Sequence, residues 1–249
     1  MSATALLPPT TSPEELAAAL REHGRAVLAP AGFARFTGAG IAELDALRPS
    51  WDDLPPDAHL RDGGRYRRRR HASLVVDANE IRLMPQRAHW QPVEYNALHG
   101  GLERWFEPID PAVLALPAWC RILVAFARLA SATKGGQPWF VEAHQFRIDT
   151  TDGIGWPTPE GAHRDGVDLV AVLLVCRANV KGGETRVFDI DGPDGTRFTL
   201  VEPWSALLLD DARVIHESTP IQPLDPERPT HRDTLVVTLR AGCFQGPAN

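Results

Sequence analysis

Helical patterns come first in this 249-residue chain and short strands follow. That order predicts a mainly β fold with N-terminal helices (α+β), a β-sandwich or jelly roll. Three observations carry the prediction. The first fifty residues hold two helix signatures. Residues 110–133 are the longest amphipathic stretch, with Leu114, Trp119, Ile122, Phe126 and Leu129 among its apolar positions. Beyond it the apolar runs are short and end at turn pairs such as Asp152-Gly153, Gly182-Gly183, Gly192-Pro193 and Asp194-Gly195. No repeat or linker divides the chain, so residues 1–249 read as one domain. Within it, 1–11 are flexible, 12–135 give helical support and early strands, and 136–245 form the β core.

Each element has a local reason. Residues 1–11 are rich in Pro and Thr and are expected to fray. Ser12-Pro13-Glu14-Glu15 opens the first helix, with Ser12 as cap, Pro13 at the first helical position and Glu15 completing a capping box. The helix runs through Leu16 and Leu20 and stops at Gly24. A short strand at 26–28 and a second helix near 41–47 follow, and Pro49, Pro55 and Pro56 mark irregular chain. Arg65-Tyr66-Arg67-Arg68-Arg69-Arg70 is the loudest charge run. It leads into the apolar residues 72–76 and reads as a strand of alternating exposed and half-buried arginines, in preference to a phosphate-binding patch. Some of these arginines would pair with carboxylates or edge a pocket. In 110–133, Pro111 suits the first turn and Pro117 breaks or kinks the helix. Residues 140–148, 169–175, 184–188, 206–209 and 235–239 read as core strands.

Composition excludes several classes. A hydrophobic content of 43% supports a packed domain, and a net charge of −6 gives no footprint for nucleic acid or an anionic membrane. Cys120, Cys176 and Cys243 are scattered without CxxC spacing, which fits free thiols in a reducing cytosol. The N-terminus lacks the pattern of a signal peptide, and no apolar run approaches the ~20 residues that span a bilayer. A cytoplasmic protein with a small-molecule partner is expected; the oligomeric state stays open.

The chemistry concentrates late in the chain. In His163-Arg164-Asp165, residues i and i+2 of an extended strand would share a face, so His163 and Asp165 could reach one metal while Arg164 turns away. His216, after the apolar residues 206–209, is the candidate third ligand on a strand folding back alongside. Two histidines and one carboxylate are the ligand set of a non-haem iron(II) oxygenase, leaving positions open for co-substrate and oxygen. A structural zinc would be closed by four ligands. His-x-Asp alone arises readily by chance among nine histidines. The ordered sequel raises the signal: an apolar strand, a Gly-Gly turn, a second strand, the distal histidine and then Arg232. A planar guanidinium suits the distal carboxylate of 2-oxoglutarate, whose oxidative decarboxylation to succinate supplies two electrons. Thr234 would share the face of Arg232 and add a hydrogen bond; a plain salt bridge from Arg232 to Asp233 is the competing account. Asp165 fills the position that an iron halogenase leaves to halide, which favours hydroxylation.

The pieces Glu142-Ala143-His144-Gln145-Phe146-Arg147, Pro159-Glu160-Gly161-Ala162-His163-Arg164-Asp165-Gly166, Gly182-Gly183-Glu184-Thr185 and His231-Arg232-Asp233 resemble the bacterial 2-oxoglutarate/iron dioxygenase family that includes L-isoleucine dioxygenase. The resemblance runs from the first helix to the last strand. It implies a double-stranded β-helix (jelly roll, cupin-like) and the use of Fe(II), 2-oxoglutarate and O2. It also implies hydroxylation of a free amino acid or close derivative, with release of succinate and CO2. The family's pockets are diverse, so the side chain hydroxylated does not carry over.

An α-carboxylate asks for a cation and an α-amine for an acid or carbonyl. Residues 140–148 put Val141, Ala143, Gln145 and Arg147 on one face and Phe140, Glu142, His144 and Phe146 on the other. Arg147 and Gln145 are expected to face the site and Glu160 to meet the amine, with Glu142 and His144 as the alternative face. Four other readings stay open. The same iron chemistry could act on a protein, nucleic-acid or carrier-bound substrate docked on residues 65–70. The outcome could be desaturation or cyclisation. The chain could be a non-catalytic metal-binding sandwich, or a zinc hydrolase in which Arg232 has no task.

Overall fold

A 3-10 turn, Pro13–Glu15, runs into helix α1 (Leu16–His23). The computed structural model describes residues 6–247. The expected capping box does not form: Ser12 caps no backbone N–H, and its hydroxyl donates to the Glu15 carboxylate instead, at 2.8 Å. Gly24 ends α1 at φ 66°, its N–H donating to the Leu20 carbonyl, as left-handed C-terminal glycines do. Of the segment expected to fray, residues 1–5 lie outside the described residues. The rest is tied down: Thr11 donates its N–H to the Val27 carbonyl at 2.7 Å, and Leu6 accepts from Thr199 at 2.8 Å.

Strand β1 (Arg25–Leu28) follows, then α2 (Pro30–Thr37) and α3 (Ile41–Asp45). Sequence reasoning missed α2, although Pro30 at its start and Gly38 (φ 69°) just past its end are the usual punctuation of a helix. The stretch at 110–133 divides into α4 (Pro111–Leu114) and α5 (Pro117–Lys134). Pro117 opens α5 because its ring lacks the N–H that an unbroken helix would need there.

The remaining strands are β2 (Arg67–Asp77), β3 (Glu80–Leu83), β4 (Trp139–Asp149), β5 (Leu169–Ala178), β6 (Val180–Gly182) and β7 (Thr185–Asp189). They continue with β8 (Gly195–Phe198), β9 (Ala206–Asp210), β10 (Val214–Ser218), β11 (Ile221–Pro223) and β12 (His231–Ala241). Seven of the strands form one antiparallel sheet in the order β1-β9-β5-β12-β4-β2-β3, with smaller sheets β10-β7-β8 and β11-β6. The architecture is mainly β, antiparallel and of the jelly-roll type, with its helices gathered on one side.

Strand periodicity divides the large sheet into two faces. One face, with Leu74, Val141, Leu173, Leu208 and Val237, packs under α1 and α5 against Leu20, Trp119 and Phe126. The other packs only at its β1-β9-β5 end, where Val27, Leu174 and Leu207 meet Val187, Phe198 and Val214 of the smaller sheet side. Toward β12, β4 and β2 that same face carries Arg232, Thr234, His144, Glu142 and Arg69, and a cavity opens there. Among the described residues no helix is long and apolar enough to cross a membrane. The three cysteines are free.

Candidate active site

His163 and Asp165 do not lie on a regular strand. They sit in the loop before β5, where the His163 and His216 backbones form a single antiparallel bridge: His163 N–H to His216 O at 3.0 Å, and the reverse at 2.9 Å. The side chains meet in consequence. His163 Nε2 lies 4.0 Å from Asp165 Oδ1, and His216 Nε2 lies 3.9 Å from Asp165 Oδ2. His163 Nδ1 is 3.0 Å from the Gly161 carbonyl and donates to it, which leaves Nε2 as a lone-pair donor facing the group. Burial, aided by neighbouring His163, pushes His216 well below the ordinary histidine value, so it is neutral and free to ligate.

A buried carboxylate, Asp211, holds the loop that carries Asp165. It accepts the backbone N–H groups of Asp165 (3.0 Å), Gly166 (2.7 Å) and Val167 (3.1 Å). Gly166 turns at φ 75°, and a Cβ there would lie 2.4 Å from Tyr95. Gln91 donates from Nε2 to Asp165 Oδ1 at 3.0 Å. Burial pushes the Asp165 carboxyl up to about 6, opposed by His163 and reinforced by the carboxylates of Asp211 and Glu160. For His163, burial works downward, but Asp165 and Glu160 outweigh it and the ring is raised. Two neighbouring carboxylates around a neutral and a proton-hungry imidazole make a site short of positive charge, which a divalent cation would supply.

Arg232 faces the same cavity from β12. It is 3% exposed, makes no ion pair among the described residues, and its Nε has no hydrogen-bond partner. Burial, with Arg177 nearby and Asp233 opposing, pushes it down to about 10. The competing salt bridge does not form, because Asp233 is bound on the other face of the sheet by Arg147 at 2.8 Å. A buried guanidinium without a counter-ion is costly to keep charged, and an anion in the cavity would offset that cost. Thr234 lines the cavity two residues on, past a bulge in the β12–β5 pairing.

The opposite wall comes from β2, β4 and residues 89–104. Arg67 donates from Nε to Asp57 at 2.7 Å, and Arg69 Nη1 lies 3.7 Å from the same carboxylate. Arg69 also donates to His144 Nδ1 at 2.7 Å and stacks between the rings of Phe106 (3.7 Å) and Phe146 (4.4 Å). Arg104 donates to Gln91 Oε1 at 2.7 Å, and burial pushes it down to about 10. Glu160 lies 3.6 Å from His163 Nε2, and its Oε2 is buried without a partner.

Comparison with known proteins fixes the family. A family model described as 2OG-Fe dioxygenase matches residues 48–238. The chain belongs to the 2OG-Fe dioxygenase family. It is therefore a 2-oxoglutarate-dependent non-haem iron dioxygenase, an enzyme that uses Fe(II), 2-oxoglutarate and O2. The dioxygenase is 51% identical to a bsmA homolog from Methylobium petroleophilum, with a TM-score of 0.92 and coverage of 97% of this chain and 98% of that one. Two more distant crystal structures share the fold. IDO from Bacillus thuringiensis has 19% identity, a TM-score of 0.75 and coverage of 94% and 100%. The Fe(II)/α-ketoglutarate-dependent dioxygenase TqaL has 19% identity, a TM-score of 0.71 and coverage of 92% and 86%. Among curated proteins the comparison finds no match. The non-catalytic and zinc-hydrolase readings give way to this assignment.

The structure sets His163, Asp165, His216, Arg232, Thr234 and Glu160 around one cavity of the dioxygenase. It does not bring Arg147 and Gln145 there. Arg147 lies on the helix side of β4, bound to Asp233 and, at 2.9 Å, to Asp52; Gln145 donates to Ser50 at 2.6 Å. The alternative face is the one turned inward, with Glu142, His144 and Phe146. Within β2 the run at 65–70 splits by strand parity: Arg67 and Arg69 are buried, whereas Arg68 and Arg70 pair outward with Asp149 and Glu107; Arg65, before the strand, pairs with Asp152. It presents no docking surface of unpaired arginines. Sequence reasoning missed His89, Gln91, Asn96, His99 and Arg104, which come from an irregular stretch with no periodicity. Their only signal is the density of hydrogen-bonding side chains in a loop.

Proposed function

We propose that this dioxygenase hydroxylates a free amino acid, or a close derivative, at an unactivated carbon. The reading places it with the group that includes L-isoleucine dioxygenase, on the sequence motifs it shares with that group. In this reading His163, Asp165 and His216 hold iron(II), and Arg232, with Thr234 beside it, takes the distal carboxylate of 2-oxoglutarate. One observation carries it: a buried guanidinium without a counter-ion lines the same cavity as the His/Asp/His group. When bound, iron would activate O2, one oxygen atom going to the substrate and the other into succinate, while 2-oxoglutarate would supply two electrons and leave as succinate and CO2.

The chain's own residues do the positioning. Gly161 fixes the His163 ring, and Asp211 fixes the loop that aims Asp165. Gln91 links Asp165 to Arg104 through the two ends of its amide. Glu160 offers an unpartnered carboxylate oxygen to an ammonium group, and the arginines across the cavity take over the α-carboxylate role first expected of Arg147. Outward arginines already paired with acids favour a small substrate over a macromolecular one. The facing antiparallel sheets support the finer description, a single domain whose residues 136–245 form the core of a double-stranded β-helix. The free thiols fit a cytoplasmic location.

The test is aerobic succinate release with Fe(II), ascorbate and 2-oxoglutarate against pooled free amino acids, with His216→Ala as control. Succinate that rises with one pool, a product heavier by one oxygen, and loss of both in the control are expected. A desaturated or cyclised product revises the outcome. Slow succinate that ignores every pool removes the free-amino-acid reading.

A further inference from the structure

We propose that the substrate is an amino acid with an acidic side chain, its two carboxylates received by the arginine wall of Arg67, Arg69 and Arg104. The inference rests on the free-amino-acid reading and narrows it. These three arginines are buried, and the structural carboxylate Asp57 touches two of them, Arg67 and Arg69. Glu142, the other acid on this wall, is already held by Arg87 at 3.1 Å and by His71 and His89 at 3.2 Å. Each arginine keeps a buried nitrogen with no hydrogen-bond partner: Nη2 of Arg67, Nε of Arg69 and Nε of Arg104. A simple amino acid brings one carboxylate to this wall while its ammonium takes Glu160. One guanidinium is then still without an anion, and a side-chain carboxylate supplies it.

The lining chemistry agrees. Among the described residues that β2 and the 89–104 stretch contribute to the cavity, there is no aliphatic side chain; the aliphatic lining is Ile148 on β4, Val167 in the loop before β5, Val172 on β5 and Val236 on β12. His144 accepts from Arg69 at Nδ1, so its neutral ring carries the proton on Nε2 and can donate it. An aliphatic side chain on this side would strand donors; a carboxylate would satisfy them.

Anaerobic calorimetric titration of the full chain, loaded with Fe(II) and saturating 2-oxoglutarate, tests the proposal with matched pairs. These are aspartate against asparagine and glutamate against glutamine, with leucine as the aliphatic reference. One acid is expected to bind at least about tenfold tighter than its amide and than leucine. Arg104→Gln should cut that preference below about threefold, with the 2-oxoglutarate affinity changed less than about twofold. Arg104→Lys should restore part of the preference, separating charge from damage to the fold. Equal binding of acid and amide, or tighter binding of leucine, overturns the proposal and leaves the free-amino-acid reading standing. No binding of any amino acid overturns both.

Discussion

His163, Asp165 and His216 bring their donor atoms within 4.8 Å of one another, and so do His71, His89 and His144 on the neighbouring wall. By spacing the two groups are equals, but their surroundings differ in sign. The first sits among the carboxylates of Asp165, Asp211 and Glu160, and the guanidinium of Arg164 is turned away onto the Asp211 carbonyl at 2.6 Å. The second touches Arg69, and its single acid, Glu142, is shared with Arg87. Burial, only partly offset by Glu142, pushes His89 down to about 4, and burial with Arg69 holds His144 well below its ordinary value. Spacing creates a ligand set; the local field decides whether a cation settles in it.

The largest effect should separate the groups outright. His216→Ala should weaken iron binding by more than about 100-fold in equilibrium dialysis, whereas His71→Ala should leave one metal per chain. A second equivalent of metal on the unmodified protein, lost in His71→Ala, would break the comparison.

Arg232 and Arg69 extend it, one without a partner and one held. Arg232→Gln should raise the dissociation constant of 2-oxoglutarate roughly 100-fold, the worth of a bidentate charge-assisted contact. The same variant should be no less stable to urea than the parent, since it removes a buried cation without a counter-ion. A marked loss of stability would mean that the guanidinium has a structural partner instead.

Acid should act on the first group. Iron needs Asp165 ionised, and in the iron-free protein its pKa is raised to about 6. His163, raised in the iron-free protein, must also lose its proton to ligate. Iron affinity should therefore fall by about tenfold per pH unit where one of the two groups is protonated and more steeply below about pH 6, read by metal titration between pH 5 and 8. Without iron the sign reverses: Asp165 binds a proton more tightly folded than unfolded, so its contribution to stability is present at low pH. That contribution is lost as pH rises through about 6.

The smallest effect falls on the support. Asp211→Asn keeps the shape but weakens three charge-assisted backbone contacts, and should cost about tenfold in iron affinity. An unchanged affinity would show that the His163–His216 bridge alone suffices to place the ligands.

Different parts of this molecule were legible for different reasons. The grouping of His163, Asp165 and His216 was readable from residue identity and order, but the one strand face expected of His163 and Asp165 is replaced by a loop pinned by a backbone bridge and Asp211. The parity of β4 was readable as well. Which face turns inward was not, because that depends on where the helices pack and on Asp52 and Asp233 drawing Arg147 outward. The polar stretch at 89–104 has no periodicity to read, and only the folded chain brings Arg104 and Gln91 to Asp165.

Asp211 lies in the short turn that carries the chain from β9 of the large sheet to β10 of the smaller one, His216 stands on β10, and His163 is hydrogen-bonded to His216. The three ligands thus form one clamp with a common anchor. Gln91 ties the loops at 89–104 to the same Asp165, so a substitution in the β9–β10 turn is expected to disturb the ligands and the facing wall together.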